Sequence, residues 1–99
     1  MKVFISQPMA DKTNEEIKTE RDRAIKVIKE KYDTEDIEIL DSFFENAPHD
    51  AKPLYFLAKS IEILSTADVA YFIGDWRNYR GCKIENTCAH EYGIDVIEE

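Results

Sequence analysis

The spacing of hydrophobic and polar positions changes period several times along the chain, and each change marks an element. "KVFIS" (2–6) is short, β-branched and aromatic-rich, which predicts a buried strand. From Thr13 the pattern turns helical. Thr13 and Glu16 have the spacing of a capping box, and Ile17, Ala24, Ile25 and Ile28 share one face as far as Lys31. The opposite face is mostly Lys, Glu and Arg, the pattern of a solvated surface. "DIEILDSF" (36–43) begins by alternating, with Ile37 and Ile39 on one side, and predicts a second strand nearer an edge. "FFENAPHDAK" then reads as a loop. Pro53 suits the first turn of a helix, where its missing N–H goes unused, and Leu54, Leu57, Ala58, Ile61 and Leu64 follow at helical spacing. "ADVAYFIG" (67–74) is a third, continuously apolar strand. A helix over 82–92 follows, with Gly93 as its C-terminal cap, and "IDVIE" (94–98) is a last short strand.

Strands alternating with helices predict an α/β fold, a three-layer sandwich around a four-stranded parallel sheet. Right-handed crossovers favour the strand order 2-1-3-4, flavodoxin/Rossmann-like. In that order the chain reverses direction between strands 1 and 3, and ligands bind outside the carboxyl ends of the strands at such a point. Two loops line it, "SQPMADKT" after strand 1 and "GDWRNYRG" after strand 3.

Ninety-nine residues support a single domain, residues 1–99. With only three glycines and three prolines there is little room for linkers. A net charge of −8 argues against binding to polymeric nucleic acid, which requires a basic face. It leaves room for a small anionic ligand held by a few arginines. "MKVFIS" runs straight into a strand without a signal-peptide pattern, and no apolar run is long enough to span a bilayer, so no membrane association is expected and the cytoplasm is the expected compartment. Cys82 and Cys88 fit neither a zinc nor a Cys-x-x-Cys redox spacing, and free thiols are expected, with Cys88 in the core.

Glu85 raises the chemical question. At about 100° per residue, Ile84, Glu85, Cys88, Ala89 and Tyr92 fall on the side of the third helix that packs on the sheet, while Lys83, Asn86, Thr87 and His90 fall largely on the other. A carboxylate turned inward near the helix start and the strand ends is costly to dehydrate unless the helix N-terminus, Arg77 or Arg80 compensates. It is either a helix-stabilising acid or a nucleophile or base under a ligand. Asp75, directly after strand 3, is a turn former or a proton handler. Arg77 and Arg80 can clamp a phosphate or pair with surface acids; Trp76 and Tyr79 can stack on a nucleobase or cover the sheet end. "HEYGI" lacks the second histidine of a zinc-binding helix, and "GDWRNYRG" has too few glycines for a dinucleotide or P-loop site. No metal and no cofactor are expected.

The arrangement "ADVAYFIGDW…RGCKIENTCAHEYGI", the "VFISQPM" start, Ala67-Asp68 at the entry of the third strand, and a glycine four residues ahead of a glutamate together resemble the nucleoside 2-deoxyribosyltransferase-like superfamily. The likeness extends to its branch of 2'-deoxynucleoside 5'-phosphate N-hydrolases, and most closely to a small phage and bacterial subgroup. It implies N-glycosidic bond cleavage or transfer on a small nucleoside or nucleotide. Glu85 would attack the anomeric carbon, Gly81 would let the backbone approach the ligand, and Ser6, Gln7, Pro8, Met9 and Ala10 would form the first ligand loop, where hydrolase relatives hold a phosphate. Gly74, Trp76, Arg77, Tyr79 and Arg80 complete the expected substrate site. The sequence departs from the family at two places: Ser60 stands where relatives carry an acid in the preceding helix, and Tyr79 where transferases carry an Asp. Asp75 is then the candidate proton donor, and a non-catalytic nucleotide-binding module is the alternative. The resemblance also implies a homodimer or higher homo-oligomer, as does the aromatic surface expected at Tyr55, Phe56 and Tyr71.

Overall fold

The two most apolar strands lie in the middle of the sheet. The computed structural model describes residues 1–40 and 48–99. In it β1 (Lys2–Ser6) runs parallel to β3 (Val69–Phe72), in register from Val3 opposite Val69 to Ser6 opposite Phe72. The polar-edged strands flank them: β2 (Glu38–Ile39) beside β1 and β4 (Asp95–Glu98) beside β3. The result is an all-parallel sheet of order β2-β1-β3-β4 in an α/β, flavodoxin/Rossmann-like sandwich. One layer is α1 (Asn14–Tyr32), which lays Ala24 and Ile28 on Val3, Ile5, Val69 and Tyr71. The other layer is α2 (Pro53–Leu64) and α3 (Arg80–Glu91), whose Leu64, Cys82 and Ala89 pack on Phe4, Ala70 and Phe72. Alternate residues of each central strand thus feed opposite faces, so both faces must be covered.

Local signals set the helix ends. Thr13 Oγ1 accepts the N–H of Glu16 at 3.1 Å, satisfying one of the free donors of α1. Gly93 follows α3 at φ +73°, a left-handed position that suits glycine. Asp68, just before β3, accepts the N–H of Lys2 at 2.8 Å through Oδ2 and so pins the starts of the two central strands together.

Several boundaries differ from the periodicity. β3 is confined to 69–72, because the chain after Phe72 turns through Ile73 and Gly74 into a single 3₁₀ turn at Trp76–Asn78. α3 starts two residues earlier than its apolar pattern, at Arg80. β2 spans only Glu38–Ile39, and the part of the predicted strand at 41–43 lies outside the described residues. Tyr71 is core, 2% exposed, rather than surface, with its hydroxyl on Glu99. On α2 only Leu64 is fully buried, while Leu54 is 72% exposed.

The Glu99 carboxylate ties β4 to the opposite layer. It takes Arg23 at 2.6 and 3.2 Å, the Tyr71 hydroxyl at 2.7 Å and the Gly74 N–H at 2.9 Å. Burial pushes this carboxyl up, but the bonds from Arg23, Tyr71 and Gly74 together hold it below the usual carboxylate range. A carboxyl held low in the folded state stabilises it above the ordinary carboxylate pKa and loses that contribution as pH falls through the folded value.

Two stability outcomes follow. Phe72→Ala empties a fully buried site beside Trp76, whose ring centroid is 5.4 Å away, and should lower the unfolding free energy by about 3–5 kcal/mol in urea titration. Glu99→Gln should lower the melting temperature at pH 7, and the gap to wild type should narrow as the pH falls below about 4. An equal gap at every pH would show that the carboxylate's charge contributes nothing.

Candidate functional site

Because α3 begins at Arg80, Glu85 lies in its second turn, 8% exposed, against the carboxyl end of β1. The favourable field of a helix N-terminus fades after the first turn. The compensation comes instead from hydroxyls. Ser6, the last residue of β1 and 3% exposed, donates from Oγ to Glu85 Oε1 at 2.8 Å, and Ser60 on α2, which lines the same cavity, also favours the charged form. Neither Arg77 nor Arg80 takes part. Burial therefore wins: desolvation pushes the Glu85 carboxyl up, with Ser6 and Ser60 only partly opposing it.

The carboxylate borders an open cavity of about 330 Å³ between the 7–10 loop, α2 and the start of α3. Gln7, Pro8, Met9 and Ala10 form one wall, Pro53, Phe56, Leu57 and Ser60 another, and Tyr79, Gly81 and Cys82 the third. A Cβ on Gly81 would meet only Leu57 Cδ1, at 4.0 Å, so this glycine keeps the cavity mouth wide rather than relieving a clash. The volume is at the lower end for small-ligand pockets. Among the described residues Glu85 is the only charged one in the lining, where it stands among apolar and neutral polar groups.

The structure thus brings Ser6, Gln7, Pro8, Met9, Ser60, Tyr79, Gly81 and Glu85 together, and places the other candidates elsewhere. Trp76 is 6% exposed and packs on Phe72, so it is core and no stacking platform. Arg77 lies over the Trp76 ring at 4.3 Å, reaches Glu98 at 3.7 Å and donates to the Glu99 carbonyl at 3.2 Å, which turns it from the cavity. Gly74, at φ +61°, gives its N–H to Glu99. Asp75 is exposed and does not line the cavity. Arg80 is exposed and faces the neighbouring groove instead.

The expected helix face also needs correcting. The buried stripe of α3 is Cys82, Glu85, Asn86 and Ala89, while Ile84 and Tyr92 are 41% and 84% exposed and Cys88 is half-buried against the core. Asn86 is drawn inward because its amide donates to Glu98 at 2.8 Å. His90, though exposed, contacts the same carboxylate at 3.0 Å. The His90 and Asn86 bonds pull the Glu98 carboxyl below its ordinary range. Both cysteines are free, and burial pushes the Cys82 thiol up.

Lys12 and Glu20 were not foreseen. Lys12 Nζ sits between both Glu20 oxygens at 2.9 and 3.0 Å, each side chain 19% exposed. The Glu20 hydrogen bond raises the Lys12 ammonium, against burial, and the charges of Asp75 and Tyr79 act the same way, which places Lys12 near the loop after β3. Gln7 Nε2 joins the pair by donating to Glu20 at 3.2 Å and to the Ile17 carbonyl at 2.9 Å. Nothing in the sequence separates this pair from the other charges of α1.

The fold and cavity define a flavodoxin/Rossmann-like α/β domain with a dehydrated carboxylate at the carboxyl ends of its central strands. No protein-family model, curated protein or solved structure matches the sequence. Among the described residues no cluster of His, Cys, Asp and Glu is suited to a metal ion, and no helix is long and apolar enough to cross a membrane.

A raised carboxyl releases its proton more readily in the unfolded chain. Folding then retains a proton between the ordinary and the folded value, and stability falls as pH rises through that window. Glu85→Gln keeps an acceptor for Ser6 without the charge, so it should melt higher than wild type at pH 7, with the gap closing below about pH 4. Lower melting of this variant at pH 7 would mean that the ionised carboxylate is a net stabiliser.

Proposed function

We propose that this protein cleaves or transfers the N-glycosidic bond of a deoxynucleoside or its 5'-monophosphate, with Glu85 as the nucleophile. The observation that carries this reading is a carboxylate dehydrated to 8% exposure yet bordering a cavity wide enough for a sugar. The resemblance of the "RGCKIE" and "ISQPM" segments to nucleoside 2-deoxyribosyltransferase-like proteins supports it.

In the reaction, a Glu85 oxygen attacks C1' of the sugar as the C1'–N bond breaks, and the bond's electron pair leaves with the base. The base takes a proton from water at the open mouth. The resulting glycosyl ester is opened at C1' by water, or by the nitrogen of a second base, which loses a proton and restores the carboxylate. The transition state is oxocarbenium-like, so negative charge beneath the sugar stabilises it. Ser6 fixes one carboxylate oxygen, which orients the other. Asp75 is exposed and does not line the cavity, so a part in proton delivery would require it to move toward the base.

A second reading, a nucleotide-binding module without turnover, has its own observation. Where the resemblance calls for an acid there is Ser60, which lines the cavity with Glu85, and among the described residues no second carboxylate lines it. A general acid or base contributes about 10²–10⁴ in rate, and its loss can leave binding alone.

The proposal includes a cytoplasmic homo-oligomer. Exposed Met9 and Phe56 line the cavity, and a second copy of the chain would cover them and narrow the site.

A chromatographic screen of deoxynucleosides and their 5'-monophosphates should show free base released by wild type. Glu85→Ala, folded by circular dichroism, should release it at least about 10³-fold more slowly. Thermal stabilisation by a nucleotide without any base release would establish the binding module instead. Base release unaffected in Glu85→Ala would remove the glutamate from the mechanism.

A further inference from the structure

The Glu85 cavity lies on the side of α2 and α3, but the loop that forms one of its walls is held from α1, in the opposite layer. Gln7, which lines the cavity, donates from Nε2 to the Ile17 carbonyl at 2.9 Å and to Glu20 Oε1 at 3.2 Å. Lys12, at the far end of the loop, donates to the two Glu20 oxygens at 3.0 and 2.9 Å. One carboxylate thus grips the loop at both ends. Between them the chain closes a turn, with the Lys12 N–H on the Met9 carbonyl at 3.3 Å. Asp11 sits in that turn at φ +61°, a left-handed conformation that Asp tolerates better than most residues with a side chain. A Cβ on Gly74 would lie 4.0 Å from Glu20 Oε2, so the same carboxylate also reaches the loop after β3.

This ion pair is the most shielded among the described residues. Lys12 and Glu20 are each 19% exposed, whereas Lys18 and Asp22 of the same helix are 78% and 59% exposed. A pair withdrawn from solvent is screened less by salt and holds one geometry better. The Gln7 amide is fixed as well. The Ile17 carbonyl and the Glu20 carboxylate only accept, so the NH2 group must face them and the carbonyl oxygen must face away. That oxygen is buried without a hydrogen-bond partner among the described residues, an orientation that persists because its surroundings impose it.

We infer that Glu20 is a positioning residue, which clasps the ends of the 7–12 loop and so presets the Gln7–Ala10 wall of the cavity before any ligand arrives. It does not line the cavity and acts through Gln7 and Lys12. That the wall receives a nucleoside rests on the glycosidic reading of the cavity; that Glu20 holds the wall does not. A loop ordered beforehand spares the ligand the entropy of ordering it. Loss of the clasp therefore weakens binding of ground and transition states alike.

Backbone order parameters from NMR relaxation read the loop, and calorimetry with the four common deoxynucleosides and their 5'-monophosphates reads the cavity. The proteins are wild type, Glu20→Ala, Lys12→Glu, and Lys12→Glu combined with Glu20→Lys. Asp22→Ala, which removes the exposed pair of the same helix, is the control. The amides of residues 9–12 should be rigid in wild type and fall below about 0.6 in Glu20→Ala and in Lys12→Glu, while β1 and β3 stay near 0.85. The reversed pair should recover most of that order, and Asp22→Ala should leave it unchanged. The nucleoside or nucleotide that wild type holds best should bind Glu20→Ala about tenfold more weakly. Where base is released, KM should rise with kcat unchanged. A rigid loop in Glu20→Ala, an equal loss in Asp22→Ala, or a reversed pair no better than Lys12→Glu overturns the clasp. A loosened loop with unaltered affinity, or a fall in kcat alone, overturns the positioning role. If no nucleoside or nucleotide binds wild type, the glycosidic reading fails, and the order parameters decide the clasp without it.

Discussion

A single hydrogen bond, from the Ser6 hydroxyl to the Glu85 carboxylate, joins the end of the first strand to the last helix across 79 residues of sequence. It is buried, and an ionised carboxylate without such a partner would be far more costly in that position. The sheet order makes the contact possible. Only with β1 beside β3 does the carboxyl end of the first strand lie under the helix that follows the third. The geometry of the cavity, the state of the acid and the chemistry proposed for it all derive from this one link. Its donor is a hydroxyl rather than a guanidinium, so the acid keeps a single negative charge unneutralised, which a nucleophile requires.

Arg77, one of the two cations expected to neutralise Glu85, is instead attached to the acid at 98. Glu98 collects Asn86 and His90 from α3 and the edge of Arg77, and Glu99 collects Arg23, Tyr71 and Gly74. Through them the last strand, the third helix, the first helix and the loop after β3 are braced against one another. The bracing lies on the far side of that loop from the cavity. One side of the 74–81 segment is thus structural and the other faces the ligand space.

Much of this was legible in the sequence. The order of periods, from the run at 2–6 to that at 94–98, contained the parallel sheet and its strand order, because buried parallel strands and two-sided helices leave distinctive patterns. The inward direction of Glu85 followed from its phase relative to Ala89. The loop after β3 was not legible in the same way. Trp76, Arg77 and Tyr79 are adjacent and chemically suited to a ligand, yet a 3₁₀ turn sends Trp76 into the core and Arg77 toward Glu98. Such a turn carries no hydrophobic period. Asn86 falls on the outer side by its helical phase, and the partner that draws it inward, Glu98, lies twelve residues away on β4.

Cys82 shares the cavity wall with Glu85, so two nucleophilic atoms border one space. Burial raises both groups, and the negative glutamate raises the thiol further. A thiol ordinarily titrates above neutrality and a carboxyl well below it, so the upward push keeps the sulfur protonated. The wall therefore sets a carboxyl oxygen beside a thiol whose proton is retained chiefly by burial, with the charges of Glu85 and Asp75 adding to it and the Ser6 hydroxyl opposing it.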